Sequence, residues 1–185
     1  MRIIAGTCRS MPLKTIEGKD TRPTTDRIKE TLFNIIQPYI PEAYFLDLFA
    51  GSGAIGLEAV SRGAKKAVFI ESSRKAAGCI KDNIEFTKLT AKCDLKQMDA
   101  IAGLRMLERR YVFDVIFMDP PYGQGLSGAV MEYLKDSALY NENTLIIAEE
   151  SKNFDPLELE NEKFEVTRVK KYKTSQHIFL RARQI

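Results

Sequence analysis

The stretch DLFAGSGAIG, residues 47–56, determines the fold predicted for this chain. The apolar residues before it predict a buried strand, and the pattern after it predicts a helix. Glu71 lies twenty residues beyond the first of three glycines whose spacing is G-x-G-x-x-G, namely Gly51, Gly53 and Gly56. This arrangement is typical of a fold that binds a nucleoside cofactor, because glycines let the backbone approach the ligand and the acid accepts hydrogen bonds from ribose hydroxyls.

The glycine loop by itself leaves the cofactor open. NAD and S-adenosylmethionine both fit it, and a purely structural glycine turn is the other interpretation. Asp47 ends the strand just before the loop. Its negative charge would repel a pyrophosphate but would suit a cationic amino acid group, which favours S-adenosylmethionine.

Beyond residue 43, short apolar runs alternate with helical patterns. The predicted strands lie at 44–49, 66–71, 93–98, 113–119 and 144–150. The predicted helices lie at 54–63, 74–86, 100–110 and 126–136. Two further alternating runs, 163–172 and 175–183, predict an antiparallel hairpin. The order indicates an α/β, Rossmann-like fold with a seven-stranded, mostly parallel sheet and a C-terminal antiparallel hairpin.

The first part of the chain, 1–43, is predicted to be a small extension of the main domain at 44–185. Short apolar runs at 2–6 and 12–16 predict two short strands in this extension. A helical pattern follows, with Thr24 as its expected N-cap.

In a parallel sheet, ligands bind at the carboxyl ends of the strands. Four acids end predicted strands here: Asp47, Glu71, Asp99 and Asp119. Asp119 opens the sequence DPPY, residues 119–122, in which a carboxylate and a backbone carbonyl could accept the two N–H bonds of an exocyclic base amine and localise its lone pair. Tyr122 would offer a stacking face to the base. The alternative interpretation is a proline turn that closes a strand.

Charge is distributed unevenly along the 185 residues, whose net charge is +3. Residues 1–29 carry +4 and residues 165–185 carry +5, so that the remainder carries −6. Basic ends indicate either contact with a polyanion such as nucleic acid or an ordinary solvated surface. No apolar run has the length of a membrane span, and the N-terminus has no secretory apolar core. The three cysteines form no metal-binding spacing, so we expect a cytoplasmic protein without a metal.

Two further segments, FIE at 69–71 and QMDA at 97–100, complete a resemblance to class I S-adenosylmethionine-dependent methyltransferases. The chain is most similar to the bacterial RsmD-type 16S ribosomal RNA guanine-N2 methyltransferases. The resemblance spans nearly the whole chain and rests on RIIAG at 2–6, RPTTDRIKETLFNI at 22–35, DLFAGSGAIGLEAVSRGA at 47–64 and DPPY at 119–122. One departure is TCRSM at 7–11, where that family usually has a Gly-Arg pair.

The resemblance implies transfer of a methyl group from S-adenosylmethionine to the N2 amine of a guanine in small-subunit ribosomal RNA, with S-adenosylhomocysteine as product. The implied cofactor residues are Asp47, Gly51 and Gly53 for the methionine end, Glu71 for the ribose, and Asp99 with Ala100 for the adenine. The implied residues for the target guanine are Asp119, Pro120 and Tyr122. Those expected near RNA are Arg22, Thr24 and Arg27, together with the basic residues Arg9 and Lys14. His177 is expected to be structural, and the enzyme to act as a monomer on RNA or on an assembling small subunit.

Two other classes of function stay open at this point. An amine methyltransferase acting on DNA adenine or on a protein side chain could use a similar D/N-PPY motif, although 185 residues leave no room for a DNA target-recognition domain. A non-catalytic nucleic-acid-binding relative is the second alternative. The intact strand-end acids argue against it.

Overall fold

The computed structural model describes residues 1–16 and 25–184. Seven strands form one sheet, and they are β1 (Tyr44–Leu48), β2 (Lys66–Glu71), β3 (Cys93–Gln97), β4 (Val115–Met118), β5 (Leu145–Ser151), β6 (Phe164–Lys171) and β7 (Ser175–Ala182). Their order across the sheet is β3-β2-β1-β4-β5-β7-β6. The first five strands are parallel, whereas β7 is antiparallel to both β5 and β6. The predicted fold class is therefore confirmed.

Five α-helices are present in the described residues, and they are α1 (Asp26–Ile36), α2 (Ala54–Ser61), α3 (Arg74–Thr87), α4 (Ala100–Leu107) and α5 (Leu126–Leu134). The oxygen of Thr25 accepts a hydrogen bond from the N–H of Ile28 and so caps α1. The predicted N-cap, Thr24, is therefore wrong by one position, because the second threonine of the pair has the extended backbone that a cap requires. Thr24 itself lies outside the described residues.

The two strands predicted near the N-terminus are wrong. Residues 1–16 form a single antiparallel bridge, between Arg2 and Pro12. The physical reason is that side chains distant in sequence take the backbone groups that a strand partner would need. The N–H groups of Ile4 and Ala5 donate to the carboxylate of Glu58.

Glu58, fully buried on α2, is the centre of a buried charged cluster. Besides the two backbone N–H groups, it binds the Lys29 ammonium at 3.3 Å and the Arg62 guanidinium at 2.8 Å. Lys29 also donates to the backbone carbonyl of Arg2. Burial lowers the pKa of Lys29, and the Glu58 charge opposes that change. The cluster ties the first residues of the chain to α1 and α2.

Apolar side chains pack against both faces of the sheet. On one face, Ile3 and Leu13 of the N-terminal segment belong to the same buried cluster as Phe45, Phe69 and Phe117 of the strands. The N-terminal segment therefore contributes to the core. No helix within residues 1–16 and 25–184 combines the length and the apolar character needed to cross a membrane.

Candidate active site

The glycine loop joins β1 to α2, and the three glycines of the motif, of which Gly56 lies in the first turn of α2, are needed for two different reasons. Gly51 and Gly53 have φ angles of +58° and +78°, in the left-handed region that favours glycine. A Cβ on Gly51 would meet nothing within 4 Å, so the space beside it is open to a ligand. A Cβ on Gly56 would lie 2.4 Å from the Phe69 ring, so this glycine is required for packing of α2 on β2.

Asp47 is 1% exposed and lies beneath the loop. Its Oδ2 accepts a hydrogen bond from the N–H of Gly56 at 3.0 Å. Burial raises its pKa well above the usual range; the Gly56 N–H opposes this rise, and the charge of Glu71 adds to it. A cationic ligand group placed here would restore the charged form of the carboxyl, because an opposite charge stabilises it.

Glu71, at the end of β2, directly supports the glycine loop. One carboxylate oxygen accepts the N–H of Gly51 at 2.8 Å, and the other accepts the N–H of Ser73 at 2.8 Å. The structure therefore brings together the two residues that are separated by twenty positions in the sequence. Each carboxylate oxygen has two acceptor positions, so both keep capacity for a further donor such as a ribose hydroxyl.

Asp99 and Ala100 lie where β3 passes into α4. Asp99 is the N-cap of α4, and its Oδ1 accepts the N–H of Ala102 at 3.0 Å. The backbone N–H of Met98 donates to the carbonyl of Glu71, which holds this turn beside the end of β2. Both residues thus lie at the carboxyl edge of the sheet, next to the loop.

Asp119 follows β4, the strand beside β1. Its backbone N–H donates to the carbonyl of Leu48 at 3.5 Å, so DPPY begins next to the strand that leads into the glycine loop. Burial raises the pKa of Asp119 well above the usual range, and the charges of Glu149, Asp47 and Glu150 raise it further. The first residue of DPPY therefore lies in a partly desolvated region that contains several acidic side chains.

Pro120 is buried, whereas Tyr122 is 44% exposed. Burial is the main cause of the raised pKa of Tyr122, and the charges of Glu149 and Asp119 raise it further. A hydrogen bond with Ser175 opposes that rise. A large ring left exposed at the rim of the site has the geometry of a stacking surface.

Glu149 and Glu150, both 6% exposed, are two site residues that were not predicted from the sequence. They end a predicted strand, as Asp119 does, so the same strand-end rule could have found them. Glu149 reaches His177, whose Nε2 lies 2.9 Å from Oε2. His177 is fully buried, which agrees with a structural position, but its partner faces the site.

Three of the five residues expected near RNA lie within the described part of the chain. Arg9, Lys14 and Arg27 are exposed, and Lys14 forms an ion pair with Asp82 at 2.8 Å. Arg22 and Thr24 lie outside the described residues. Within the described ranges, no group of three or more His, Cys, Asp or Glu side chains is arranged to hold a metal ion.

The comparisons with known proteins agree with this geometry. A family model described as "Conserved hypothetical protein 95" matches residues 1–181. The chain belongs to this family. Ribosomal RNA small subunit methyltransferase D of Haemophilus influenzae is 39% identical over 158 residues, which are 83% of this chain and 80% of the relative. The Escherichia coli protein of the same name is 36% identical over 149 residues, 80% of this chain and 74% of the relative.

A solved structure gives the same result. The protein yhhF from Escherichia coli superposes with a TM-score of 0.85 at 32% identity, over 98% of this chain and 97% of that chain. The resemblance to RsmD-type enzymes is thereby confirmed. The predicted enzyme class, a methyltransferase dependent on S-adenosylmethionine, is confirmed with it.

Proposed function

We propose that this protein transfers the methyl group of S-adenosylmethionine to the exocyclic N2 amine of a guanine in small-subunit (16S) ribosomal RNA. The observation that carries the proposal is the contact between two strand ends: Asp119 of DPPY donates its backbone N–H to Leu48, at the end of the strand leading into the glycine loop. A methyl donor on the loop and an amine on DPPY would therefore be neighbours. The relatives named as small-subunit ribosomal RNA methyltransferases support the substrate class.

The residues at the loop fit the cofactor that the family implies. We assign the methionine end to Asp47, Gly51 and Gly53, because a buried carboxylate and an open glycine suit a cationic amino acid group. The remaining assignments are Glu71 for the ribose, and Asp99 with Ala100 for the adenine. When bound, S-adenosylmethionine supplies a sulfonium methyl group.

DPPY would prepare the amine. The carboxyl of Asp119 and the backbone carbonyl of Pro120 accept the two N–H bonds of the target nitrogen, so that its lone pair is localised for attack. A protonated Asp119 would still offer its carbonyl oxygen as an acceptor, so the raised pKa does not abolish this role. Tyr122 stacks on the base and orients it. Catalysis would then rest on proximity and charge placement.

RNA would approach from the side of the extension at 1–43, with the domain at 44–185 holding the cofactor. The assigned contact residues are Arg9, Lys14, Arg22, Thr24 and Arg27. The Lys14 ammonium lies on the surface beside α3, where a phosphate could compete with Asp82 for it. We propose a monomer that works in the cytoplasm on ribosomal RNA within the small subunit or its assembly intermediate.

The test is methylation of free RNA and of small subunits from a strain lacking the gene, with labelled S-adenosylmethionine and analysis of the nucleosides. Label in N2-methylguanine is the expected result. Label in N6-methyladenine would refute the base assignment, and label only in DNA or protein would refute the substrate class. Calorimetry on the protein alone adds a separate check, because a non-catalytic relative without a working cofactor site would bind no S-adenosylmethionine.

A further inference from the structure

Three side chains lie in one row across the sheet beside DPPY. Met118, the last residue of β4, pairs with Ala148 of β5, so Asp119 follows this pair directly on one chain segment and Glu149 follows it on the other. The charge of Glu149 acts on Asp119, which places the two carboxyl groups near each other. Glu149 in turn pairs with His177 of β7. Residues at one register position of neighbouring strands point to the same face. Glu149 therefore stands between Asp119 and His177 on the face that carries the site.

A chain of hydrogen bonds fixes the orientation of Glu149. His177 Nε2 lies 2.9 Å from Glu149 Oε2, and the Tyr172 hydroxyl lies 3.1 Å from His177 Nδ1. Both contacts have the geometry of hydrogen bonds: Nε2–H donates to the carboxylate, and Nδ1 shares a hydrogen bond with the Tyr172 hydroxyl. Within the described residues, these contacts use only one oxygen of Glu149.

The other oxygen of Glu149, Oε1, accepts no hydrogen bond from any residue in the described ranges 1–16 and 25–184. Glu149 is nevertheless only 6% exposed. Its charge is the largest electrostatic cause of the raised pKa of both Asp119 and Tyr122, second only to burial. An oriented carboxylate oxygen with spare acceptor capacity thus lies beside the two residues assigned to the target base.

We propose that Glu149 selects guanine by accepting its N1–H, while Asp119 accepts the neighbouring N2 amine; this inference rests on the proposed function. Guanine presents the N1–H and N2–H donors side by side on one edge, and two adjacent carboxyl groups match that pair. Adenine presents an unprotonated N1, which a carboxylate repels. His177 and Tyr172 are positioning residues that hold Glu149 in place.

Glu150 provides a matched control in the next position of β5. Successive strand residues point to opposite faces. The Oε1 atom of Glu150 accepts a hydrogen bond from the Ser127 hydroxyl of α5 at 2.5 Å. Glu150→Gln removes the same charge from the same strand, but not from the row that contains Asp119.

The experiment compares two substrates that share the 2-amino group. Small-subunit RNA is ligated so that the modified position carries either guanine or 2-aminopurine, which has no N1 proton, and is presented free or assembled, whichever form is methylated. We measure kcat/KM for both substrates with the wild type, Glu149→Gln, Glu150→Gln and Tyr172→Phe. S-adenosylmethionine affinity, measured by calorimetry, shows whether each variant is folded.

We expect the wild type to prefer guanine by about 10-fold or more, the effect of removing one hydrogen bond to a charged group. Glu149→Gln should reduce that preference at least about 10-fold, because the amide can donate to an unprotonated N1. Tyr172→Phe should reduce it less, with cofactor affinity unchanged, and Glu150→Gln should keep it.

Equal rates on the two substrates in the wild type would overturn the inference, as would an unchanged preference in Glu149→Gln that binds cofactor normally. If Glu149→Gln does not fold, Tyr172→Phe serves as the test, because the Tyr172 side chain is only half-buried. An unchanged preference for guanine in Tyr172→Phe would then overturn the inference. Failure of the proposed function would look different, because the wild type would then form no N2-methylguanine on the guanine substrate.

Discussion

Asn83 holds the backbone of Lys14 by two hydrogen bonds: its Oδ1 accepts the Lys14 N–H at 2.8 Å, and its Nδ2 donates to the Lys14 carbonyl at 3.0 Å. The same Nδ2 donates to the carbonyl of Ser52, in the glycine loop, at 2.9 Å. Asn83 is 1% exposed. One buried amide on α3 thus joins the segment assigned to RNA to the loop assigned to the cofactor.

Replacing Asn83 tests this junction. Asn83→Ala would leave backbone groups of Lys14 and Ser52 without their partner, and we expect it to lower the free energy of unfolding by about 1–3 kcal/mol. Urea denaturation measures the change. The exposed Asn143→Ala is the control and should stay within about 0.5 kcal/mol of the wild type. An equally small effect of Asn83→Ala would mean that water replaces the amide.

Glu71 is expected to contribute to cofactor affinity. Glu71→Ala removes an acceptor for a ribose hydroxyl and also the partner of the Gly51 N–H, so S-adenosylmethionine should bind more weakly by about 1.5–3 kcal/mol. Calorimetry provides the measurement. Glu85→Ala, an exposed acid on α3, should leave the affinity unchanged. Wild-type affinity in Glu71→Ala would remove this residue from the site, and tight binding of NAD by the wild type would argue against the assigned cofactor.

Asp119 should matter more for chemistry than for binding. A hydrogen bond to the target amine gains strength as positive charge develops on the nitrogen, so Asp119→Ala should lower the rate by about 100-fold or more. Asp119→Asn should be milder, because its amide oxygen still accepts a hydrogen bond. Single-turnover methylation at saturating cofactor is the appropriate assay. A near-normal rate for Asp119→Ala would mean that DPPY is only a turn that closes a strand.

Tyr122 should act through its ring. Tyr122→Ala should weaken transition-state binding by about 1–3 kcal/mol because the stacking surface is removed, whereas Tyr122→Phe should cost much less. Because the side chain is 44% exposed, both variants are expected to fold. The measured quantity is kcat/KM on the RNA substrate. Equal losses in the two variants would assign the effect to the hydroxyl and its contact with Ser175 rather than to the ring.

The basic N-terminal segment should contribute to RNA binding. Charge reversal at Arg9 and Lys14 should weaken RNA binding and reduce the dependence of log K on log salt by about one unit or less for each phosphate that the variant no longer neutralises. Filter binding at several salt concentrations measures the slope. Cofactor affinity is the internal control and should be unchanged. A wild-type slope in the double variant would shift the RNA contact to the basic C-terminal hairpin.

The central strands β1, β2, β4 and β5 could be predicted because they are apolar runs buried on both sides, which need no knowledge of their partners. Strand bounds shifted where a contact between residues distant in sequence formed at the end of a strand. For example, β4 begins at Val115, because the Asp114 carboxylate accepts the N–H of Tyr44 and the N–H of Phe113 donates to Leu139. The strand-end rule placed the acids Asp47, Glu71, Asp99 and Asp119 at one edge.

What could not be predicted depends on pairs distant in sequence. The prediction of two N-terminal strands was wrong because Glu58 and Asn83, more than fifty residues away, accept hydrogen bonds from the backbone N–H groups of residues 4, 5 and 14. The row of Asp119, Glu149 and His177 depends on the pairing of β5 with β7, which no local pattern specifies. Local periodicity therefore describes each element but not the contacts between them.

The buried Glu58 cluster also constrains the order in which the protein can be completed. Residues 4 and 5 leave the ribosome before the carboxylate that binds their N–H groups, which is made more than fifty residues later. The N–H groups of Ile4 and Ala5 therefore cannot form these hydrogen bonds until α2 has been made, and water solvates them before then. A chain shortened by these residues would leave Glu58 with fewer donors inside the protein.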